Sequence, residues 1–303
     1  MLTNAIEIKN LTIDYGNGRG IFDFNIEVKK GEVHAIVGTN GSGKTTTLRA
    51  LMGFLKAKSG SATISNMDTW DMAKEIKKDV SYVPGEINFP DVGSGDSFLA
   101  IQRGFYGIKD TTFMNKLIDI FRLDTRVPLR RMSKGMKQKA ALVCAFMKDS
   151  DIILLDEPST GLDPLMRDNL IELINAEKAK GKTILMSSHI FKEIEDTCDK
   201  VTFIDKGHII GTIDMADIKN SGIKEYKVVF KHEYEYSDFI KNTMFELKSM
   251  DSLKREVNIF VMDKDINNMF DILAEYSIEN IDYIPYTLEK YYEESILGGN
   301  LNE

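Results

Sequence analysis

A short apolar strand that runs into a glycine-rich loop constrains the fold of this 303-residue chain more than any other feature. Residues 33–37 are apolar except for His34, the pattern of a strand buried on both faces. The sequence Gly-Thr-Asn-Gly-Ser-Gly-Lys-Thr follows at positions 38–45, and residues 46–55 favour a helix. This order of strand, glycine loop and helix is the context that confirms a phosphate-binding loop, so a chance glycine turn is a poor alternative. The sequence therefore predicts that the chain binds a nucleoside triphosphate.

Each part of this loop has an expected task. The glycines let the backbone curl so that successive amide groups point at phosphate oxygens, and the following helix adds its positive end. Lys44 is expected to reach the β- and γ-phosphates, and the Thr45 hydroxyl is expected to ligate Mg²⁺. The predicted nucleotide-binding residues of this segment are Gly38, Thr39, Asn40, Gly41, Ser42, Gly43, Lys44, Thr45 and Thr46.

Two further apolar segments end in candidate catalytic groups. Residues 152–155 run into Asp156 and Glu157, and residues 183–187 are followed shortly by His189. Asp156 is placed to hold Mg²⁺, and Glu157 is placed to activate an attacking water as general base. A solvated turn is the alternative for the acid pair, and a structural role is the alternative for a single histidine. Since parallel strands end at one edge of a sheet, we expect all three groups near the phosphate loop, with His189 at the γ-phosphate.

The net charge of −8 comes entirely from the last part of the chain. Residues 1–220 hold 30 basic and 30 acidic side chains, whereas residues 221–303 hold 9 and 17. The latter also hold 13 of the 28 aromatic residues, which argues against a disordered acidic tail. We therefore predict a domain boundary at the Asn-Ser-Gly sequence of positions 220–222. The acidic total also argues against nucleic-acid binding, which favours a basic face.

Several classes of protein are excluded by composition. No run of 18 apolar residues could span a membrane, and the first residues lack a signal-peptide core. Two cysteines cannot build a disulfide framework or a zinc knuckle. A basic cluster in residues 126–139 could be a nucleic-acid patch, but it lacks interleaved aromatic residues. A solvated face next to a phosphate-binding helix is the favoured interpretation.

Residues 1–215 resemble the nucleotide-binding domain of ATP-binding-cassette (ABC) proteins. The sequence Met-Ser-Lys-Gly-Met-Lys-Gln-Lys at positions 132–139 is similar to the LSGGQ signature of that family, and Pro-Ser-Thr-Gly-Leu-Asp at 158–163 is similar to its D-loop. By this resemblance, Ser133 and Gly135 contact the γ-phosphate of ATP in a partner subunit, and Asp163 is the D-loop acid. His189 matches the switch histidine, and Tyr15 matches the aromatic residue that stacks on adenine.

The chain departs from the family pattern near the predicted metal site. Gly85 stands where the glutamine of the Q-loop is expected, and by the resemblance that glutamine meets both Mg²⁺ and the permease. The adjacent Glu86 could substitute for it. In the signature, Lys134 and Met136 replace a glycine and a glutamine, and Lys134 adds positive charge beside a phosphate site. Gly161 replaces a common alanine, a change that we expect to be minor.

The expected fold is α/β. Residues 1–220 are predicted to form a P-loop NTPase of the ABC type, with a RecA-like core, an antiparallel β subdomain and a helical subdomain at about 87–150. Residues 221–303 are predicted to form an α+β accessory domain, whose β-α-β-β-α-β order suggests a ferredoxin-like arrangement.

The resemblance implies an ATPase with ATP and Mg²⁺ as cofactors, a second ATPase subunit and a transmembrane permease as partners. It places the chain on the cytoplasmic, inner face of the cell membrane, docked through the permease. The motif variants are similar to those of type-2 exporters of drugs, antimicrobial peptides or lipids. A soluble ABC ATPase without a permease is the alternative. The single cassette and the lack of a heptad insertion argue against it, whereas the missing Q-loop glutamine favours it slightly.

Overall fold

The computed structural model describes residues 4–219 and 222–293. The chain divides into two compact units between Asp214 and Met215. The boundary predicted at 220 lies six residues later, because the short helix at Met215–Lys219 belongs to the second unit.

The first unit contains ten strands and seven α-helices within its described residues, from 4 to 214. The strands are β1 (Asn4–Asp14), β2 (Gly20–Lys29), β3 (Val33–Val37), β4 (Ser59–Ile64), β5 (Met67–Asp68), β6 (Val80–Val83), β7 (Ile152–Asp156), β8 (Thr183–Ser188), β9 (Lys200–Asp205) and β10 (His208–Asp214). The helices are α1 (Lys44–Leu51), α2 (Ala73–Asp79), α3 (Gly95–Tyr106), α4 (Thr112–Ile120), α5 (Lys134–Met147), α6 (Pro164–Ala179) and α7 (Phe191–Thr197).

A six-stranded sheet positions the candidate site. Its order is β10-β9-β3-β8-β7-β6, and all neighbours pair in parallel except β10 with β9. Every residue of β3, β7 and β8 is buried, as their apolar sequences predict. In register, Val37 pairs with Ser188, and Asp156 pairs with Ser187. The loops that follow these three strands therefore emerge side by side.

A second sheet and a group of helices complete this unit. The second sheet has the order β2-β1-β4-β5 and is antiparallel throughout. Its buried residues, such as Ile6 and Phe24, share one core with Leu154 and Leu185 of the parallel sheet. Between β6 and β7 the chain forms α3, α4 and α5, where the sequence predicts a helical subdomain. The helix predicted at 46–55 begins two residues earlier and ends at Leu51.

The second unit has a core of its own. After α8 (Met215–Lys219) come β11 (Ile223–Phe230), α9 (Glu233–Asn242), β12 (Glu246–Asp251), β13 (Glu256–Met262), α10 (Ile266–Leu273), β14 (Ile278–Ile284) and α11 (Leu288–Tyr291). The strands form an antiparallel sheet of order β12-β13-β11-β14. From β11 to β14 the elements follow the β-α-β-β-α-β order that the sequence predicts. Aromatic residues, including Phe230, Phe239 and Tyr276, pack together in its interior.

Across residues 4–219 and 222–293, no helix is both long enough and apolar enough to cross a membrane.

Candidate functional site

The glycine loop connects β3 to α1 and is tightly packed against its surroundings. A Cβ atom at Gly38 would lie 2.3 Å from the Ile204 carbonyl oxygen, so the backbone comes too close there for any side chain. Gly43, at the N-cap of α1, has φ 117°, a left-handed conformation that favours glycine. Gly38 and Gly43 are therefore required for steric and conformational reasons, in addition to the phosphate binding that the sequence predicts.

Lys44 lies over this loop. Its side chain is 5% exposed, and its Nζ donates hydrogen bonds to the carbonyl oxygens of Gly38 at 2.8 Å and Thr39 at 3.1 Å. The same Nζ is 3.4 Å from Oε1 of Glu157. A buried ammonium group needs such partners, and phosphate oxygens can replace them.

Asp156 is fully buried at the end of β7, next to Thr45 of α1. Its Oδ1 accepts hydrogen bonds from Ser187 Oγ at 2.7 Å and from Thr45 Oγ1 at 3.2 Å. Its Oδ2 has no hydrogen-bond partner among the described residues. A buried carboxylate oxygen without a partner is costly unless a cation or water occupies the space beside it. Since Mg²⁺ is usually bound by one or two carboxylates together with substrate phosphates, Asp156 and Thr45 fit that ion.

Glu157 has a strained backbone. Its φ of 47° lies in the left-handed region, which is uncommon for residues other than glycine. The conformation is held by its backbone N–H, which donates to Ser187 O at 3.1 Å and to Ser187 Oγ at 2.9 Å. Strain of this kind often accompanies function. In this conformation the Glu157 carboxylate lies 3.4 Å from Lys44 Nζ.

His189 completes the group that the parallel strands bring together. Its Nδ1 is 3.6 Å from Oε2 of Glu157, and its side chain is 58% exposed. Thr160 Oγ1 donates to the same Oε2 at 3.4 Å. A histidine that is open to solvent yet next to a carboxylate can contact a ligand bound over the loop. The arrangement can therefore place the Glu157 carboxylate, the His189 imidazole and the Lys44 ammonium group around one phosphate.

A cavity of about 390 Å³ opens beside the loop. It is lined by eight of the predicted residues: Tyr15, Asn40, Gly41, Gly43, Lys44, Thr45, Thr46 and Glu157. The buried Gly38 and Ser42 and the exposed Thr39 belong to the loop but lie outside this lining. Tyr15 is 53% exposed, so its ring is open for stacking on a base.

Sequence reasoning missed two cationic residues that line this cavity, Arg19 and Lys206. Arg19 lies between Tyr15 and β2 in a glycine-rich turn, and its carbonyl accepts a hydrogen bond from Tyr15 N at 2.8 Å. Its nearness to Tyr15 in sequence was a usable signal. Lys206 lies in the turn between β9 and β10, where no motif points to a ligand.

The Q-loop position lies against Asp156. A Cβ atom at Gly85 would be 3.1 Å from Asp156 Oδ2, so glycine lets the loop approach the carboxylate directly. Glu86 and Tyr82 line a neighbouring cavity of about 550 Å³ together with Thr45, Asp156 and Glu157. Burial, and to a lesser extent the Asp156 carboxylate, raises the pKa of Tyr82.

The signature residues lie apart from the cavity beside the loop. Ser133 caps α5, and its Oγ accepts a hydrogen bond from Met136 N at 3.2 Å. Asp163 caps α6 in the same way through Met166 N at 3.0 Å, and its Oδ2 is 3.8 Å from Lys139 Nζ. The structure therefore brings together Lys44, Thr45, Asp156, Glu157 and His189, whereas Ser133, Gly135 and Asp163 do not line the cavity beside the loop.

Gly161 has a structural role that the sequence did not indicate. A Cβ atom at Gly135 would lie 2.5 Å from the Gly161 carbonyl oxygen, and Gly161 itself has φ +80°. The start of α5 thus touches the loop after Glu157 through two glycines. We expected the glycine at 161 to be a minor change, but alanine there would adopt a strained conformation.

Comparison with known proteins gives one consistent result. A profile of the ABC transporter family matches residues 21–160. The ABC transporter ATP-binding protein YtrB of Bacillus subtilis is 30% identical over 220 residues, which are 72% of this chain and 75% of YtrB. The Nod factor export ATP-binding protein I of Cupriavidus pinatubonensis is 31% identical over 227 residues, or 73% and 70% of the two chains.

A solved structure of the ATP-binding subunit of an ABC transporter superposes with a TM-score of 0.65 at 30% identity. The match covers 73% of this chain and 93% of the solved one.

Proposed function

The chain belongs to the ABC transporter family as an ATP-binding subunit with ATPase activity, and on that premise we propose that it drives an exporter formed by a separate membrane permease. Two ATPase subunits would close on ATP and reopen after hydrolysis, and the permease would follow these changes. The substrate class that we propose, a drug, antimicrobial peptide or lipid, rests on the signature and D-loop variants. The similarity to a Nod factor export protein supports the export direction.

The observation that supports the hydrolytic part is the close approach of three ionisable side chains, Lys44, Glu157 and His189, beside the glycine loop. Lys44 Nζ lies 3.4 Å from Glu157 Oε1, and His189 Nδ1 lies 3.6 Å from Glu157 Oε2. A phosphate bound by the loop would enter this group. Phosphoryl transfer depends mainly on positioning and on charge stabilisation, and both are available here.

The proposed reaction is the transfer of the γ-phosphoryl group of ATP to water. Glu157 accepts a proton from the water as its oxygen attacks phosphorus, and the bond from phosphorus to the bridging oxygen of ADP breaks. Lys44 donates hydrogen bonds to the β- and γ-phosphate oxygens, where negative charge is concentrated. His189 contacts the γ-phosphate from the exposed side. Tyr15 stacks on the adenine ring.

Mg²⁺ would be held by Thr45 and Asp156, because the Thr45 hydroxyl contacts the carboxylate whose other oxygen has no partner among residues 4–219 and 222–293. The bound ion would neutralise phosphate charge as it develops. Glu86 lines the adjoining cavity, so we propose that it takes the outer position that the glutamine occupies in the family pattern.

Ser133 and Gly135 are proposed to contact the γ-phosphate of ATP bound to a partner ATPase subunit. They lie apart from the cavity of their own subunit, as this assignment requires. Asp163, the last residue of the segment 158–163 that resembles the D-loop, is proposed to take part in the same contact.

Replacing Glu157 with Gln tests the catalytic assignment. The amide keeps the size of the side chain but cannot accept the proton, so phosphate release should fall by at least about 100-fold. ATP affinity, measured with a fluorescent analogue, should be retained, and an ATP-bound dimer should persist in size-exclusion chromatography. The exposed Glu172→Gln on α6 is the matched control and should hydrolyse ATP normally. Wild-type phosphate release by Glu157→Gln would show that Glu157 is not the base.

The permease assignment is tested separately from hydrolysis. The chain should be recovered from detergent-solubilised membranes together with a polytopic membrane protein, identified by mass spectrometry. Recovery in the soluble fraction only, with ATPase activity intact, would favour the soluble ABC ATPase and overturn the exporter proposal.

A further inference from the structure

Glu193 is a buried acid that the reaction described above does not use. It lies on α7, four residues after His189, and its side chain is 3% exposed. Burial raises its pKa, although hydrogen bonds from Ser188 and Ser159 oppose this effect. Because burying a carboxyl group is costly, its presence here calls for a compensating role.

One oxygen of this carboxyl joins two separate loops. Oε2 accepts a hydrogen bond from Ser159 Oγ at 2.9 Å and another from Ser188 Oγ at 2.9 Å. Ser188 Oγ in turn accepts a hydrogen bond from Ile190 N at 3.1 Å, which fixes the turn around position 189. The other oxygen, Oε1, has no hydrogen-bond partner within the described residues.

The two serines are next to the proposed catalytic groups. Ser159 is two residues after Glu157, and Ser188 directly precedes His189. The side chains of Glu157 and His189 are 3.6 Å apart, so small movements of either loop would change their relation to a phosphate. Glu193 of α7 connects these two segments through its hydrogen bonds with Ser159 and Ser188.

The loop after Glu157 is also held from its other side. Gln138 of α5 is buried, and its Nε2 donates a hydrogen bond to Pro158 O at 2.8 Å. Pro158 is thus bonded to Gln138 of α5, and Ser159 is bonded to Glu193 of α7. Both anchored residues lie within two positions of Glu157.

We propose that Glu193 is a positioning residue for hydrolysis, which holds the Glu157 and His189 loops at a fixed separation through Ser159 and Ser188. This inference rests on the proposed roles of Glu157 and His189. A displacement of about 1 Å in such a group can cost about 100-fold in rate. A residue that acts only in positioning should affect turnover and leave nucleotide binding unchanged.

The first test compares two substitutions of Glu193. Glu193→Ala removes the shared acceptor, and its kcat should fall by about 10- to 100-fold while ATP affinity changes by less than about 2-fold. Glu193→Gln keeps an oxygen that can accept from both serines, and it should retain kcat within about 3-fold. Thr197→Val is the matched control, because Thr197 Oγ1 bonds the backbone oxygen of Glu193 at 2.7 Å and not its carboxyl. Its kcat should equal that of the wild type.

The single serine substitutions give a second test that does not need Glu193→Ala to fold. Ser159→Ala and Ser188→Ala should each lower kcat by about 3- to 10-fold, and wild-type kcat in both would overturn the inference. In a folded Glu193→Ala background, neither substitution should lower kcat further. Equal kcat values for wild type and Glu193→Ala, or additive effects of the serine substitutions, would overturn the inference. If Glu157→Gln is inactive in such a case, the proposed catalytic role of Glu157 stands and only the inference about Glu193 fails. If Glu157→Gln hydrolyses ATP at the wild-type rate, the proposed role of Glu157 fails as well.

Discussion

At the scale of single residues, the site combines strain and burial that a stable fold would otherwise avoid. Glu157 keeps a left-handed backbone, which costs on the order of 1–3 kcal/mol, because two hydrogen bonds to Ser187 hold it there. Asp156 keeps a buried oxygen without a partner in the described chain. Both features lie where a phosphate and its metal ion would bind, so the ligand would compensate for part of their cost.

His34 makes stability depend on pH. It lies on β3 with 1% exposure, its Nδ1 is 3.0 Å from Glu32 Oε1, and its Nε2 is 2.8 Å from Thr202 Oγ1. Burial lowers its pKa and outweighs the neighbouring Glu32 and Asp214 carboxylates, which raise it; Lys200 lowers it further. The unfolded chain therefore takes up this proton before the folded one does. The stability that neutral His34 provides is complete above about pH 6.5 and is lost as the pH falls below it.

We predict that the free energy of unfolding decreases below about pH 6.5 by at most about 1.4 kcal/mol per pH unit from this residue. Urea unfolding between pH 7.5 and 5.5 measures the slope. His34→Gln cannot take up the proton and should show a shallower slope over the same range. Equal slopes in the two proteins would show that His34 is not the titrating group.

At the scale of elements, the start of α5 lies close to Gly161, in the loop after Glu157. A Cβ atom at Gly135 would lie 2.5 Å from a backbone oxygen that cannot move aside cheaply. We predict that Gly135→Ala lowers the free energy of unfolding by about 1–3 kcal/mol and also reduces ATP hydrolysis. Urea unfolding and phosphate release measure the two effects.

Gly104 on α3 is the matched control for this substitution. A Cβ atom there meets nothing within 4 Å, and its φ lies outside the left-handed region. Gly104→Ala should therefore stabilise the protein by about 0.5–1 kcal/mol, since alanine loses less freedom in a helix. If Gly135→Ala behaved in the same way, α5 and Gly161 would not be in contact in solution.

At the scale of the whole molecule, the two units differ in both charge and core. The formal charge of −8 belongs to residues 221–303, whose buried aromatic residues, such as Phe230 and Phe239, form a core within the second unit. The glycine loop, Asp156, Glu157 and His189 all belong to the first unit. One described core consists of residues of the first unit, and another consists of residues of the second.

We predict that a fragment cut between Asp214 and Met215 keeps ATP binding and Glu157-dependent hydrolysis. The full chain should unfold by calorimetry in two transitions, and the fragment should reproduce one of them. An unfolded fragment, or a single transition for the full chain, would show that the units are one cooperative domain.

The sequence alone predicted the parts of the fold that depend on short segments. The apolar strands β3, β7 and β8 are consecutive in the parallel sheet, and each is followed by a chemically distinctive group. Because parallel strands end at one edge, local patterns were enough to bring Lys44, Asp156, Glu157 and His189 together. The order of elements from β11 to β14 followed from alternation and turn residues in the same way.

The remaining features depend on segments that are distant in sequence, so no local pattern could reveal them. Gly85 looks like a lost glutamine until its loop is seen against the Asp156 carboxylate. Glu193 looks like an ordinary helix acid until Ser159 and Ser188 are seen to share its oxygen. Lys206 reaches the nucleotide cavity only because β9 lies beside β3. The sequence by itself determined which chemistry the chain carries, and tertiary packing decided which side chains support it, because burial and close approach arise only when distant segments meet.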